Sequence, residues 1–257
     1  MRIGAHTDGG RPLHEASLRK ADLVQIFLSD PQSWKKPPGR EDASELLTAD
    51  IPIYVHAPYL MNLASPNNRI RIPSRKTLAQ AAEAAEAIGA AGLIVHGGHV
   101  GDDEDLEVGF DRWRKALETF ESTVPVLVEN TAGGGNAVVR ELANYGPLWD
   151  AIGDHNVGIC LDTCHAWAGG ADLTGAVDLV RRTAGRLDLV HCNDSRDPHD
   201  SRRDRHANLG GGEIPEDVLV SVVREAGVPV VVETPGGAEE HAADIAWLRT
   251  RLGCAAA

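Results

Sequence analysis

The chain has 257 residues, 42% of them hydrophobic and 25% charged, a balance that excludes intrinsic disorder and allows a large buried core. A formal net charge of −13 argues against a general nucleic-acid coat protein, because phosphate contacts depend mainly on clustered Lys and Arg. The length fits one domain, since a barrel of eight parallel strands with outer helices typically needs about 250 residues.

The sequence also predicts the cellular location of the protein. Residues 1–6 contain no apolar run typical of a secretory signal, and no stretch approaches the roughly 18 consecutive apolar residues of a membrane span. The four cysteines, Cys160, Cys164, Cys192 and Cys254, are too few and too unevenly spaced for a disulfide framework. We therefore expect a cytoplasmic protein with reduced thiols and no membrane association.

Eight short runs of β-branched or aliphatic residues recur along the chain, each followed by a longer stretch with the apolar spacing of a helix. Nearly continuous apolar runs such as Val126–Val128 and Val230–Val232 are typical of parallel strands buried on both faces. This alternation predicts an α/β fold, a (β/α)8 TIM barrel that spans residues 1–257 as a single domain. The predicted strands are Arg2–Ala5, Leu23–Phe27, Pro52–His56, Gly92–His96, Pro125–Glu129, Val157–Asp162, Leu187–Cys192 and Pro229–Glu233. Helices are predicted at Leu78–Ile88, Leu106–Leu117 and Glu216–Arg224 among others, and extended loops at Pro31–Glu41 and His191–Gly212.

Six of the eight predicted strands end in or beside a residue of a metal-ligand type. In a parallel barrel the carboxyl ends of all strands open on one face, so residues far apart in the chain converge on one pocket. A single such residue is usually a hydrogen-bonded structural one, but six in succession favour a metal site. They are His56, His96, Glu129, Asp162, His191 and Glu233.

Two local motifs extend this set to nine residues. Asp162-Thr163-Cys164-His165 places an imidazole three residues after a strand-ending carboxylate, and in Asp204-Arg205-His206 the i, i+2 spacing puts both side chains on one side of an extended segment. Nine nitrogen and oxygen ligands exceed the needs of one tetrahedral zinc, so we expect two or three ions. Mixed imidazole and carboxylate ligands suit Zn²⁺, with Mn²⁺ or Fe²⁺ as alternatives at one site. Cys160 and Cys164 flank this position, and we expect them to pack with apolar residues rather than bind metal.

Several blocks of the sequence resemble the endonuclease IV type of apurinic/apyrimidinic (AP) endonuclease, and the match runs over essentially the whole chain. The most specific blocks are Asp162-Thr163-Cys164-His165 and Asp204-Arg205-His206, in that order. The others are Gly4-Ala5-His6, residues 56–63 (HAPYLMNL), residues 128–133 (VENTAG), residues 191–195 (HCNDS), Leu209-Gly210 and Glu233-Thr234.

The resemblance implies a zinc-dependent enzyme of base excision repair, which hydrolyses the phosphodiester 5′ to an abasic site in duplex DNA and leaves a 3′-hydroxyl. It also implies three zinc ions per chain, with Glu129 as the bridging, catalytic carboxylate. The implied ligands are His56, His96 and Glu129 for the first ion, Glu129, Asp162, His191 and Glu233 for the second, and His165, Asp204 and His206 for the third. The segment His96-Gly97-Gly98-His99 is one residue shorter than the usual family loop, which leaves open whether His99 assists or replaces His96.

The same resemblance suggests which residues contact DNA. Tyr59 and Leu60 follow the ligand His56 and would fill the gap left by a missing base, as apolar wedges do between base steps, whereas as ordinary core residues they would be buried. Gln32 stands near the position where members of the family often carry an Arg that enters the DNA. Basic residues in loops on the same face would hold phosphates, in particular Arg69, Arg71 and Arg205, with Lys35, Lys36, Arg40, Arg75, Lys76, Arg196, Arg202 and Arg203 beside them.

Two other classes of protein fit parts of the pattern. A single-metal sugar isomerase or epimerase of the xylose isomerase-like barrel group would need only Glu129, Asp162, His191 and Glu233, and would leave the ligands of the third ion without a task. A DNA-damage binding module without turnover would bury carboxylates with no metal to neutralise them, which is costly. The glycine clusters at 133–135 and 210–212 match no dinucleotide or phosphate-binding loop, so we expect no nucleotide cofactor, and we expect a monomer.

Overall fold

Eight parallel strands hydrogen-bond into a closed barrel, in which consecutive strands are neighbours and the last pairs with the first. The structure, a computed structural model, describes residues 1–133 and 136–253, so that Gly134, Gly135 and Cys254 lie outside it. The predicted (β/α)8 TIM barrel is confirmed. The strands are β1 (Ile3–His6), β2 (Val24–Ile26), β3 (Ile53–His56), β4 (Gly92–His96), β5 (Val126–Glu129), β6 (Val157–Asp162), β7 (Leu189–His191) and β8 (Val230–Val232).

Helices follow the strands along the chain. They are α1 (Pro12–Arg19), α2 (Ala43–Leu47), α3 (Asn68–Ala87), α4 (Leu106–Leu117), α5 (Tyr145–Ile152), α6 (Thr163–Ala168), α7 (Ala176–Ala184), α8 (Glu216–Ala226) and α9 (Ala238–Leu252). The predicted bounds of α4 are confirmed, and α8 continues two residues further than predicted.

The predicted start of α3 at Leu78 is wrong, because this helix begins ten residues earlier. The Asn67 side chain accepts a hydrogen bond from the Arg69 N–H and so caps the helix. Pro73 lies inside the helix, where it removes one backbone hydrogen bond, and this proline together with the basic residues around it hid the first turns in the sequence. Arg69, Arg71, Arg75 and Lys76 therefore lie on a helix, not in the loop that was expected to carry them.

The inside of the barrel is filled by one layer of side chains, contributed by seven of the strands or their flanking residues. These side chains are almost fully buried and form a cluster separate from the larger core between the strands and helices. Cys160 belongs to this layer, as its place inside β6 predicts. The layer consists of Leu23, Tyr54, Ile94, Leu127, Cys160, Leu189 and Val231.

Two short antiparallel ladders lie in the loops at the carboxyl end of the barrel. His99–Val100 pairs with Asn136–Ala137, and Asp194–Ser195 pairs with His206–Ala207. The second ladder lies within the segment predicted as a loop from His191 to Gly212, and it folds His206 back beside β7. Residues 31–41 contain no helix or strand, as predicted. Within the described residues, no helix is long and apolar enough to cross a membrane.

Candidate metal centre

A ring of polar side chains lies directly above the interior layer, at the carboxyl end of the barrel. Alternate residues of a strand point to the same side, so the residue two positions after each member of the layer also points inward. This ring contains the six strand-end residues that were predicted as ligands, and it also contains His6 and Gln25, which were not. The ring residues are His6, Gln25, His56, His96, Glu129, Asp162, His191 and Glu233.

Glu129 is surrounded by imidazoles on both sides of its carboxylate. Its side chain is fully buried. Oε2 lies 3.2 Å from Nε2 of His56 and 3.4 Å from Nε2 of His96. Oε1 lies 3.1 Å from Nδ1 of His191 and 3.2 Å from Nδ1 of His165. Each oxygen can therefore serve a different cluster of ligands.

The ligand-type atoms fall into overlapping groups, within each of which all atoms lie within 4.8 Å of one another. One group contains Asp162, His165 and His206, and Asp204 joins it because its Oδ1 lies 3.2 Å from Nε2 of His165 and 3.1 Å from Nε2 of His206. The nine residues predicted from the sequence therefore come together, but Asp162 falls in two of the groups, whereas the resemblance assigns it to the second ion alone. A set of Cys164, Asp204 and His206 overlaps the group that contains His165, and the remaining two groups are His56, His96 and Glu129, and Glu129, Asp162, His191 and Glu233.

The chemistry of these groups fits metal ions better than an ordinary hydrogen-bond network. Nε2 of His206 is buried and has no hydrogen-bond partner among the described residues, although Asp204 Oδ1 is only 3.1 Å away. An imidazole nitrogen and a carboxylate oxygen that lie this close together are of the ligand types that zinc takes. Cys164 also lies near Asp204 and His206, but burial raises the pKa of its thiol to about 12, which disfavours the thiolate.

The titratable groups of the site show that it stabilises positive charge. Burial opposes a charge on His165, but Asp162, Asp204 and Glu129 overcome this and raise its pKa well above the usual value. Burial likewise opposes a charge on His206, and Asp204 raises its pKa to about 9. Burial alone would raise the pKa of Glu129, but the imidazoles around it lower that pKa well below the usual range. Bound divalent cations would supply the positive charge that protonated imidazoles would otherwise provide.

Two asparagines bind Asp162 and Glu233 of the ring, mostly through the backbone of these residues, and the sequence reasoning missed both. Asn193 donates from Nδ2 to Asp162 Oδ2 at 2.7 Å and accepts from the Glu233 N–H at 2.7 Å, so it joins β6 to β8. Asn130 accepts from the Asp162 N–H at 2.8 Å and donates to the Asp162 carbonyl at 3.0 Å. Each follows a strand-ending residue by one or two positions, which is the signal that could have identified them.

The loop that carries Asp204 and His206 is held by two aspartates. Asp197 accepts two hydrogen bonds from the guanidinium of Arg205, one of them at 2.6 Å from Nε. The buried carboxylate of Asp194 accepts from four backbone N–H groups, at distances of 2.7 to 3.1 Å. The donors are the N–H groups of Ser195, Gly210, Gly212 and Ile214.

We expect Asp194→Asn to destabilise the protein by about 2–4 kcal/mol, because an amide nitrogen in place of one oxygen leaves buried N–H groups without an acceptor. Urea unfolding of the metal-loaded protein measures the change. Asp178→Asn is the matched control, since Asp178 is an exposed residue of α7 whose partner is Arg182. Equal unfolding free energies for the two variants would show that the four contacts of Asp194 do not hold the loop.

A cleft of about 290 Å³ opens beside the ring, and the predicted wedge residues lie at its edge. Tyr59 is 51% exposed and Leu60 is 36% exposed, so neither is a core residue. The Tyr59 ring stacks on His96 at 5.7 Å between centroids. The backbone N–H of Tyr59 donates to the carbonyl of Pro31 at 2.9 Å. This bond places the exposed residue Gln32 close to Tyr59, one of the two predicted wedge residues.

The basic residues predicted to hold DNA differ in whether their side chains already bind other residues of the protein. Arg202 lines the cleft. Arg69 is exposed at the start of α3. Arg71 instead donates to the Ser65 carbonyl and to the Asn68 side chain, and Arg205 binds Asp197 as described above.

His99 stands apart from the three ligand groups. Among the described residues it is His96, not His99, that groups with His56 and Glu129. The Asn62 amide donates to the His99 carbonyl at 2.9 Å and lies 3.2 Å from His99 Nδ1, and both residues line the cleft. His99 is therefore fixed at the edge of the cleft and does not replace His96 in the group.

Comparisons with known proteins agree with this architecture. The model of the xylose isomerase-like TIM barrel family matches residues 14–251. A D-tagatose 3-epimerase-like protein shares the fold at a TM-score of 0.81 with 17% identity, covering 98% of this chain and 97% of that one. The chain is thus a xylose isomerase-like TIM barrel protein.

Closer relatives define the group within that class. Proteins named probable endonuclease 4 from Mycobacterium tuberculosis and Mycobacterium leprae are 57% and 54% identical to this chain, covering 98% of it and 100% and 99% of the relatives. The crystal structure of endonuclease IV from Thermus thermophilus superposes with a TM-score of 0.85 at 31% identity, covering 98% of this chain and 99% of that one. The chain belongs to the endonuclease IV family, which confirms the resemblance seen in the sequence.

Proposed function

We propose that the chain is a cytoplasmic, zinc-dependent AP endonuclease of base excision repair, which hydrolyses the phosphodiester 5′ to an abasic site in duplex DNA and leaves a 3′-hydroxyl. The names of the curated relatives support an endonuclease. The observation that carries the proposal is the third ligand group, in which His165 and His206 converge on Asp204 at 3.2 and 3.1 Å. A sugar isomerase with one metal ion has no use for this group.

The residues present fit three divalent ions in the arrangement described above. When bound, such ions supply Lewis-acid charge at the phosphoryl group and lower the pKa of water so that it can attack at neutral pH. Glu129 serves two groups at once and holds them at a fixed separation. Tyr59 and Leu60 border the cleft beside these groups, where they would exclude water and hold the duplex open at the missing base. Three divalent ions would also offset six of the thirteen net negative charges, at the place where a DNA phosphate must bind.

The number of bound metal ions tests this proposal against the isomerase. We expect elemental analysis of the purified active protein to find three transition-metal ions per chain, mainly zinc, with Mn²⁺ or Fe²⁺ replacing zinc at one site in some preparations. One ion per chain, together with turnover of a ketose and none of DNA, would favour the isomerase.

We expect Tyr59→Ala to weaken binding of a duplex with one abasic site by about 1–3 kcal/mol, since an aromatic side chain that stacks on nucleic acid contributes that much. Fluorescence anisotropy of the metal-loaded protein with a duplex whose scissile linkage is non-hydrolysable measures binding without cleavage. Leu18→Ala is the control, because Leu18 on α1 has the same 51% exposure away from the cleft. Affinity for abasic DNA that Tyr59→Ala leaves unchanged would remove Tyr59 from the interface.

The salt dependence of binding tests the helix that carries Arg69. We expect Arg69→Gln to weaken DNA binding and to reduce the slope of log K against log salt concentration by about 0.9, the value for one lost phosphate contact. Arg71 is a poorer choice, because its guanidinium already binds the Ser65 carbonyl and the Asn68 side chain. Arg182→Gln on α7 serves as the control, and a slope equal to that of the control would place Arg69 outside the DNA surface.

A further inference from the structure

Gln25 on β2 is a member of the ring that belongs to none of the three ligand groups. Its side chain is fully buried. Its Nε2 lies 2.6 Å from Oε1 of Glu233 and 2.9 Å from Nδ1 of His6, and its Oε1 lies 2.8 Å from Nε2 of His191. One carboxamide thus touches two members of the middle group, which comprises Glu129, Asp162, His191 and Glu233.

The chemistry of these contacts fixes the orientation of the amide. A carboxylate oxygen of Glu233 accepts only from a donor, so the NH₂ end of Gln25 must face Glu233 and the oxygen must face His191. His191 must then carry its proton on Nε2 and donate it to Gln25. The lone pair of His191 is left on Nδ1, which lies 3.1 Å from Oε1 of Glu129 and 3.2 Å from Oε2 of Glu233.

The contact with this amide gives the two oxygens of the Glu233 carboxylate different partners. Oε1 accepts the hydrogen bond from Gln25, and Oε2 is left facing Nδ1 of His191 inside the middle group. His6 completes the arrangement, because its Nδ1 accepts the second amide proton and lies 3.4 Å from the same Oε1.

We propose that Gln25 is a positioning residue of the middle metal site, which sets the tautomer of His191 and presents a single oxygen of Glu233 to the ion. This inference rests on the proposed function, since it assumes that the middle group binds metal. Outer partners of this kind orient metal ligands, and their loss typically costs about 10- to 100-fold in metal affinity. Packing alone does not explain Gln25, because an apolar side chain of the same volume would fill the space without a buried amide.

The variant Gln25→Met tests the inference, since it keeps the volume and removes both the donor and the acceptor. We expect the zinc-loaded variant to fold and to release one of its three zinc ions to a chromophoric chelator at a concentration about 10- to 100-fold lower than the wild type requires. The KM for abasic DNA should remain unchanged while kcat falls. Gln80→Met is the matched control, because Gln80 is a half-buried residue of α3 outside the ring.

A second measurement needs no variant. Long-range ¹H–¹⁵N spectra of the imidazoles in the wild-type holoenzyme should show His191 protonated on Nε2 and ligated through Nδ1. Ligation through Nε2 would overturn the inference, and so would a folded Gln25→Met variant with unchanged zinc affinity at all three sites. A wild-type chain that binds no zinc would instead contradict the proposed function itself, so the two failures are distinguishable.

Discussion

Glu129→Gln is expected to lower the rate of DNA cleavage by at least about 10³-fold, equivalent to about 4 kcal/mol of transition-state stabilisation. The carboxylate has imidazoles of four histidines within 3.4 Å of its oxygens, two on each oxygen. An amide of the same size keeps one oxygen and replaces the other by an NH₂ group, which cannot bind a cation. The group that faces the NH₂ end would therefore lose its ligand, while the other would keep only a neutral oxygen, and steady-state cleavage with a zinc count measures the result.

The control for this variant is Glu83→Gln. Glu83 is an exposed residue of α3 paired with Lys36, and a surface ion pair of this kind contributes only about 0–1 kcal/mol to stability. A Glu129→Gln enzyme that retains three zinc ions and the rate of the control would contradict the bridging role of Glu129.

Asp204→Asn is expected to remove one zinc ion per chain and to slow cleavage by roughly 10²- to 10³-fold, the usual effect of losing one charge-stabilising group from an active site. The single oxygen Oδ1 lies 3.2 Å from Nε2 of His165 and 3.1 Å from Nε2 of His206, and without it the only carboxylate left in the group is Asp162, which the middle group also uses. The other two groups contain neither Asp204 nor His206, so two ions should remain bound. Elemental analysis of one preparation gives the number of bound zinc ions, and cleavage assays of the same preparation give the loss of rate.

Asp200→Asn is a control from the same loop. Asp200 has a φ of 58°, and asparagine tolerates this left-handed conformation, so the backbone of the loop is preserved. Loss of zinc from both variants would assign the effect to the loop as a whole. Full activity of Asp204→Asn with only two ions would show that the third group is not needed for cleavage.

The strand-end residues could be predicted from the sequence because barrel topology alone brings them together. His56 and Glu129 lie 73 positions apart, yet strands of a parallel barrel deliver both to one face. Gln25 could not be recognised in the same way, because glutamine is not a metal-ligand type. The signal that could have identified it is the spacing of two residues after Leu23, which repeats from strand to strand around the barrel.

The parts that sequence reasoning misplaced depend on contacts that no local pattern reveals. The first ten residues of α3 look like a basic loop with a proline, and they are helical because Asn67 caps them and because buried Ser74 and Thr77 face the core. The path of the loop that carries Asp204 depends on Asp194 and Asp197, whose partners include Arg205, Gly210, Gly212 and Ile214, 8 to 20 residues away. Such contacts decide which arginine remains available for DNA and which is already bound within the protein.

Cleavage of a duplex that carries one tetrahydrofuran abasic analogue tests the central claim most directly. This analogue cannot undergo β-elimination, so only hydrolysis can cut beside it. The end-labelled product is predicted to end 5′ to the analogue in a 3′-hydroxyl that a polymerase extends, with the activity lost to a chelator and restored by Zn²⁺. An intact duplex after incubation with the zinc-loaded protein would contradict the account.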